Sequence, residues 1–172
     1  MRFLRILPLL LLTLLVTGRA EAGGLTVSSP DFSDGGYIPP RFTCEGQNTP
    51  PTLEISGVPA GARSLALVVE DPDAPSGTFT HWTVWNIPPG STRISAGKLP
   101  AAVRQGTNDF GTVGYSGPCP PSGTHRYYFR ISALDTALRL PLEASRQEFD
   151  AAINGHILAS AEVMGRYAKT GR

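Results

Sequence analysis

Ser64-Leu65-Ala66-Leu67-Val68-Val69-Glu70, the turn Asp71-Pro72-Asp73-Ala74-Pro75, and Thr80-His81-Trp82-Thr83-Val84-Trp85-Asn86-Ile87 together decide the fold. The two flanking runs are short and apolar on both faces, the pattern of buried central strands. A proline-rich turn with Ser76-Gly77 near its tip joins them into a hairpin. In the second run, alternation puts His81, Thr83 and Trp85 on one face and Trp82, Val84 and Asn86 on the other, and Pro88-Pro89-Gly90 ends it. A third run, His125 to Ala133, alternates more cleanly. Tyr127, Phe129, Ile131 and Ala133 lie on the side of His125, while Arg126, Tyr128, Arg130 and Ser132 face away.

Shorter strands are expected around Leu25-Val27 and Leu53-Ile55. Ser145 followed by Glu148 matches a capping box, with Phe149, Ala152 and Ile153 on one face of the helix it opens and Asn154-Gly155 interrupting it. The spacing predicts a second helix over His156 to Met164, packing Ile157, Ala161 and Met164 inward. Leu99 to Gly117 has little periodicity and reads as a long surface loop. Strands followed by late helices predict a mainly β (α+β) chain with an antiparallel sheet and C-terminal helices. The 19 glycines and 16 prolines fall between apolar runs and no repeat occurs, so residues 23–172 are expected to form one domain.

Residues 1–22 read as a signal peptide. Arg2 and Arg5 precede an apolar run from Ile6 to Val16, which is shorter than the roughly 20 residues a membrane span needs. Ala20-Glu21-Ala22 supplies the cleavage motif. Cleavage there leaves a mature chain with twelve basic and thirteen acidic residues and no integral membrane segment. That balance and the lack of a Lys/Arg run exclude generic nucleic-acid binding. An exported chain, periplasmic or secreted, is expected. In such a compartment Cys44 and Cys119, the only cysteines, read as a disulfide, with two buried thiols as the alternative.

Candidate function concentrates where the two proline turns meet their strands. Asp71 follows one strand and His81 opens the next, so the hairpin is expected to set the carboxylate beside that imidazole. The two prolines stiffen the turn, and either Asp71-Pro72 or Ala74-Pro75 is eligible for a cis peptide. His125 and Tyr127 share a face just after Gly117-Pro118-Cys119-Pro120-Pro121. If the strands are neighbours, Asp71, His81, His125 and Tyr127 converge. Imidazolium N–H groups, the phenol and the Gly117 backbone N–H then suit a small oxyanion, with Pro75, Trp82, Pro118 and Pro120 as apolar walls. A turn cap for Asp71 and core positions for the histidines and Tyr127 are the structural alternatives. Arg126 is expected to pair with Asp73.

These two segments resemble the paired signatures of the phosphatidylethanolamine-binding protein family, which includes the Raf kinase inhibitor-like proteins. Phe42-Thr43-Cys44-Glu45-Gly46, Asn86-Ile87-Pro88, Cys119 and Ala161-Glu162-Val163-Met164-Gly165-Arg166-Tyr167 resemble its exported bacterial branch. The resemblance implies a large antiparallel sheet packed on a smaller one with peripheral helices. It also implies a pocket for phosphate-like anions or phosphoethanolamine-type head groups, formed by Asp71, His81, His125 and Tyr127 with Gly117 and Pro118 as further ligand contacts, beside the walls Pro75 and Trp82 read above. A non-enzymatic binding protein without a cofactor is expected. The alternatives are an inhibitor of an exported serine protease or another regulator acting through a protein partner, and a metal-assisted hydrolase using His81, His125 and Asp71. Neither an HExxH nor a G-x-S-x-G motif supports catalysis.

Overall fold

The computed structural model describes residues 24–170 apart from 96 and 98, so the signal-peptide reading of residues 1–22 lies outside the described residues. A five-stranded antiparallel sheet is built from β3 (Ser64–Asp71), β4 (Phe79–Ile87), β6 (Arg104–Gln105), β7 (Thr124–Leu134) and β8 (Ile157–Ala168). Their order is β6-β4-β3-β7-β8. A three-stranded antiparallel sheet, β1 (Thr26–Ser28), β2 (Leu53–Ser56) and β5 (Arg93–Ile94) in the order β1-β2-β5, packs against it.

Every residue of β3 is buried, because the strand has a neighbour on each edge and a core on each face. Leu65, Leu67 and Val69 point into the core between the sheets with Trp82, Val84, Tyr127, Phe129 and Ile131. Ala66 and Val68 point the other way, where Trp85 and Phe149 cover them. Trp82 and Trp85 thus lie on opposite faces, as alternation requires. Phe149 belongs to α1 (Arg146–Ile153), whose N-cap Ser145 forms the full capping box with Glu148. Buried Glu70 ties this helix to the sheet: Arg130 and Arg146 each donate to it, at 2.9 and 2.8 Å.

Three expectations need correction. The segment after α1 is not a second helix but β8, paired with β7 from Thr124↔Ala168 to Leu134↔Ile157. Its helix-like composition loses to a ladder of backbone hydrogen bonds along β7. Ala161 packs on the core as expected, but Ile157 is exposed and Met164 only half-buried. Only one C-terminal helix is therefore present among the described residues. The stretch Leu99–Gly117 is not structureless either, since it contains β6 and a turn organised by Asn108. Asp71-Pro72 and Ala74-Pro75, the two bonds eligible for the cis form, are both trans.

The third correction concerns His81. Val69 pairs with Trp82 but Glu70 pairs with Thr80, so β4 carries one extra residue between them, and that residue is His81. A bulge of this kind interrupts the alternation. His81 consequently leaves the side of Thr83 and Trp85 and meets Tyr127 at the inter-sheet core.

Candidate functional site

The ends of β3, β4 and β7 meet because β3 lies between the other two. Asp71 closes β3, His125 and Tyr127 open β7, and His81 projects from the bulge. The Asp71 carboxylate is not bonded to His81, as the hairpin suggested, but to His125 across the β3–β7 pair. His125 Nδ1 donates to Asp71 Oδ2 at 2.7 Å. The other oxygen, Oδ1, accepts the Asp73 backbone N–H at 2.8 Å. Asp71 is therefore both a turn cap and a histidine anchor. Asp73 in turn receives a two-pronged bond from the Arg126 guanidinium, at 2.8 and 2.6 Å, which holds the Asp73 carboxyl down at about 2.

His81 has a different anchor. Its Nδ1 donates to the Ser116 carbonyl at 2.6 Å, which fixes the proton on that nitrogen. Its ring meets the edge of Tyr127 at 5.2 Å between centroids, and Phe79 and Phe110 at 5.3 and 5.5 Å. Both imidazoles thus spend Nδ1 on the protein, while no hydrogen bond among the described residues occupies either Nε2. His81 is 3% exposed, His125 7% and Asp71 3%. Burial pushes the His81 imidazole below its ordinary range, against the Ser116 carbonyl and the nearby Asp71 carboxylate, which pull it up. The unfolded chain then binds a proton that the folded chain resists, so this residue lowers stability as pH falls through the histidine range.

Tyr127 is fully buried, and its hydroxyl has no hydrogen-bond partner. Asp71 and the Cys119 backbone act on it electrostatically, but neither makes a hydrogen bond with it. Burial and the Asp71 carboxylate push the phenol far above its ordinary value, so it stays a neutral donor. A buried hydroxyl left unmatched costs about 1–3 kcal/mol, and of the two such atoms among the described residues, Thr83 Oγ1 and Tyr127 Oη, only the second lies on the ring that meets His81.

The remaining predicted site residues are placed less centrally. The Gly117 N–H does not face the histidines but donates to Asn48 Oδ1 at 2.7 Å. A Cβ on Gly117 would sit 2.2 Å from the Phe42 carbonyl oxygen, so glycine is required there by packing. The Pro118 carbonyl accepts from the Cys44 N–H at 3.1 Å, and Pro118 and Pro120 are buried. Pro75 is exposed in its turn. Trp82 donates to Gln105 at 2.7 Å and borders a separate cavity of about 610 Å³ with Asn48, Leu99 and Tyr115. Cys44 and Cys119 form a disulfide with a Cα–Cα distance of 5.5 Å. Among the described residues no group of three or more His, Cys, Asp and Glu side chains is placed to hold a metal ion, and no helix is long and apolar enough to cross a membrane.

Sequence reasoning missed Phe79, Ser116 and the turn Asn108-Asp109-Phe110-Gly111. The turn residues themselves were the available signal, since Asn, Asp and Gly in succession mark an ordered turn.

The family model described as phosphatidylethanolamine-binding protein matches residues 28–168. The chain belongs to the phosphatidylethanolamine-binding protein family. A family relative from Methanothermobacter thermautotrophicus, named only as a UPF0098 protein, is 52% identical over 143 residues, covering 80% of this chain and 95% of its own. A Mycobacterium tuberculosis protein named as a candidate lipoprotein, LppC, is 44% identical over 153 residues, covering 88% of this chain and 76% of its own. Among solved structures, a candidate phosphatidylethanolamine-binding protein homologue from Chlamydia trachomatis superposes with a TM-score of 0.81 at 40% identity, covering 85% of this chain and 98% of that one. Escherichia coli YbcL, described as a new member of the mammalian family, gives 0.81 at 35% identity, covering 86% and 100%. The family fold, two antiparallel sheets packed face to face, is the one described above.

Proposed function

We propose that this protein is exported and binds a small oxyanion, such as phosphate or a phosphorylated head group, among His81, His125 and Tyr127. The observation that carries this reading is the Tyr127 hydroxyl, a buried donor without a partner beside two imidazoles whose Nε2 atoms remain free. A tetrahedral anion accepting from Tyr127 Oη and from both Nε2 atoms satisfies all three. Asp71 then orients His125 rather than touching the anion. Export is supported by the N-terminal pattern, by a disulfide suited to an oxidising compartment, and by a relative named as a candidate lipoprotein. Cell fractionation tests that part directly.

Sulfate tests the binding reading cleanly, because it does not itself titrate near neutrality. A neutral His81 offers a lone pair at Nε2 and becomes a donor only when protonated. Sulfate affinity is therefore expected to rise at least several-fold between pH 8 and pH 5.5, with proton uptake on binding seen calorimetrically in buffers of different ionisation enthalpy. Equal affinity at both pH values removes the histidines from the site.

Tyr127→Phe separates a binding role from a structural one by sign. Deleting an unmatched buried hydroxyl is expected to stabilise the free protein by about 1 kcal/mol. The same change weakens sulfate binding. Chemical denaturation and calorimetry on this one variant check both halves, and destabilisation would mean that the hydroxyl has a partner in the fold.

A further inference from the structure

The turn that follows β6 holds an aromatic ring in water beside His81. Asn108 is buried and organises it. Its Oδ1 accepts from the Phe110 and Thr112 N–H groups at 3.0 and 3.2 Å, and its Nδ2 donates to the Gly114 carbonyl and Ser116 hydroxyl at 2.9 and 3.0 Å. Gly111 completes the turn at φ +78, a conformation that favours glycine, with its N–H on the Asn108 carbonyl. Asp109 fastens the turn to β4: its Oδ2 accepts the Thr80 N–H at 2.6 Å, and its own N–H reaches the Thr80 carbonyl at 3.0 Å. Phe110 is thereby held edge-on to Phe79 at 4.7 Å and to His81 at 5.5 Å, yet it stays 47% exposed. The same turn supplies Ser116, whose carbonyl fixes His81. Phe110 thus combines an ordered, hydrogen-bonded backbone with an apolar ring that is about half exposed beside His81, and functional contacts often come from such ordered loops.

We infer that Phe110, with Phe79, reads the organic group attached to the anion, and that the site takes small aromatic phosphomonoesters in preference to alkyl ones. This rests on the anion-binding reading above. In an aryl ester the ring lies one oxygen away from phosphorus. With phosphate on the histidines, that ring reaches the exposed side of Phe110, where offset or edge-on packing of two rings is favourable. His81 and His125 are nearly buried while Phe110 is about half exposed, so the organic group of a bound ester lies on the Phe110 side.

Calorimetry with phenyl phosphate, methyl phosphate and phosphoethanolamine at one pH, alongside sulfate, tests this. The wild-type protein is expected to prefer phenyl over methyl phosphate by about 2- to 12-fold, the range that such ring pairs supply. Phe110→Ala is expected to bring that ratio close to one, and Phe110→Tyr to keep it. Phe110→Leu, which keeps apolar bulk and guards against loss of the loop in the alanine variant, is expected to lower it. A ratio that survives in both Phe110→Ala and Phe110→Leu overturns the inference. So does a wild-type preference for phosphoethanolamine over phenyl phosphate, which would mean that the rings receive a cation. In each of those cases sulfate still binds and the anion site stands, whereas failure of every anion to bind overturns both.

Discussion

Replacing Cys44 and Cys119 together with alanine is expected to lower the unfolding free energy by about 2–4 kcal/mol. The bridge closes a loop of 75 residues, for which loss of chain entropy in the unfolded state alone gives about 4.5 kcal/mol. The measured value should fall short of that ceiling because the unfolded chain keeps some residual structure of its own. Cys44 N–H reaches the Pro118 carbonyl, Gly117 N–H reaches Asn48, and the Tyr115 hydroxyl reaches the Phe42 carbonyl at 2.8 Å. These bonds keep the loops together in the folded variant, so the loss appears mainly through a more expanded unfolded state. Denaturant titration should show a lower midpoint and a steeper slope, with the melting temperature down by about 5–15 °C. A change under about 0.5 kcal/mol with an unaltered slope would contradict this account.

Asp71→Ala is expected to cost about 2–4 kcal/mol, since each interior donor left without its acceptor costs about 1–3 kcal/mol. Two donors lose their acceptor at once: His125 Nδ1–H and the Asp73 N–H. Neither side chain of the pair has much access to replacement water, at 8% and 5% exposed. Asp71→Asn keeps an acceptor for one of the donors and should cost less. A double-mutant cycle with His125→Ala should return a coupling above about 1 kcal/mol, since the residues share one bond. Independent effects would show that the pair does not act as a unit. Sulfate binding should weaken in both Asp71 variants, because His125 loses the contact that aims its Nε2.

Three of the five strands of the large sheet were readable in the sequence, and the reasons are local. β3, β4 and β7 are long runs whose burial follows directly from their composition, and the capping box marks the start of α1. The misreadings occur where a distant partner decides. Ala159, Ala161, Glu162 and Met164 favour a helix in isolation, and only the neighbouring β7 makes them a strand. No residue type announces that His81 is the extra residue of a bulge; that follows from how β4 registers against β3. That Asp71, His81, His125 and Tyr127 come together was legible, but their pairing was not. Whether Asp71 serves His81 or His125 depends on which strand lies closer to its side chain, and both flank β3. Gly117 was read as a backbone donor to the ligand, whereas its N–H is engaged by Asn48.

The central position of β3 has a consequence for how the molecule comes into being. One neighbour, β4, follows it at once, but Val69 finds its other partner only in Phe129, after most of the chain has been made. Until then a nascent chain carries an apolar ribbon with an open edge, the species that aggregates or recruits chaperones. Closing so distant a pairing is slow, and His125 arrives with the strand that performs it. A polypeptide halted before that strand holds β3, β4 and β6 but lacks both His125 and Tyr127, so Asp71 has no histidine to anchor until synthesis has nearly finished.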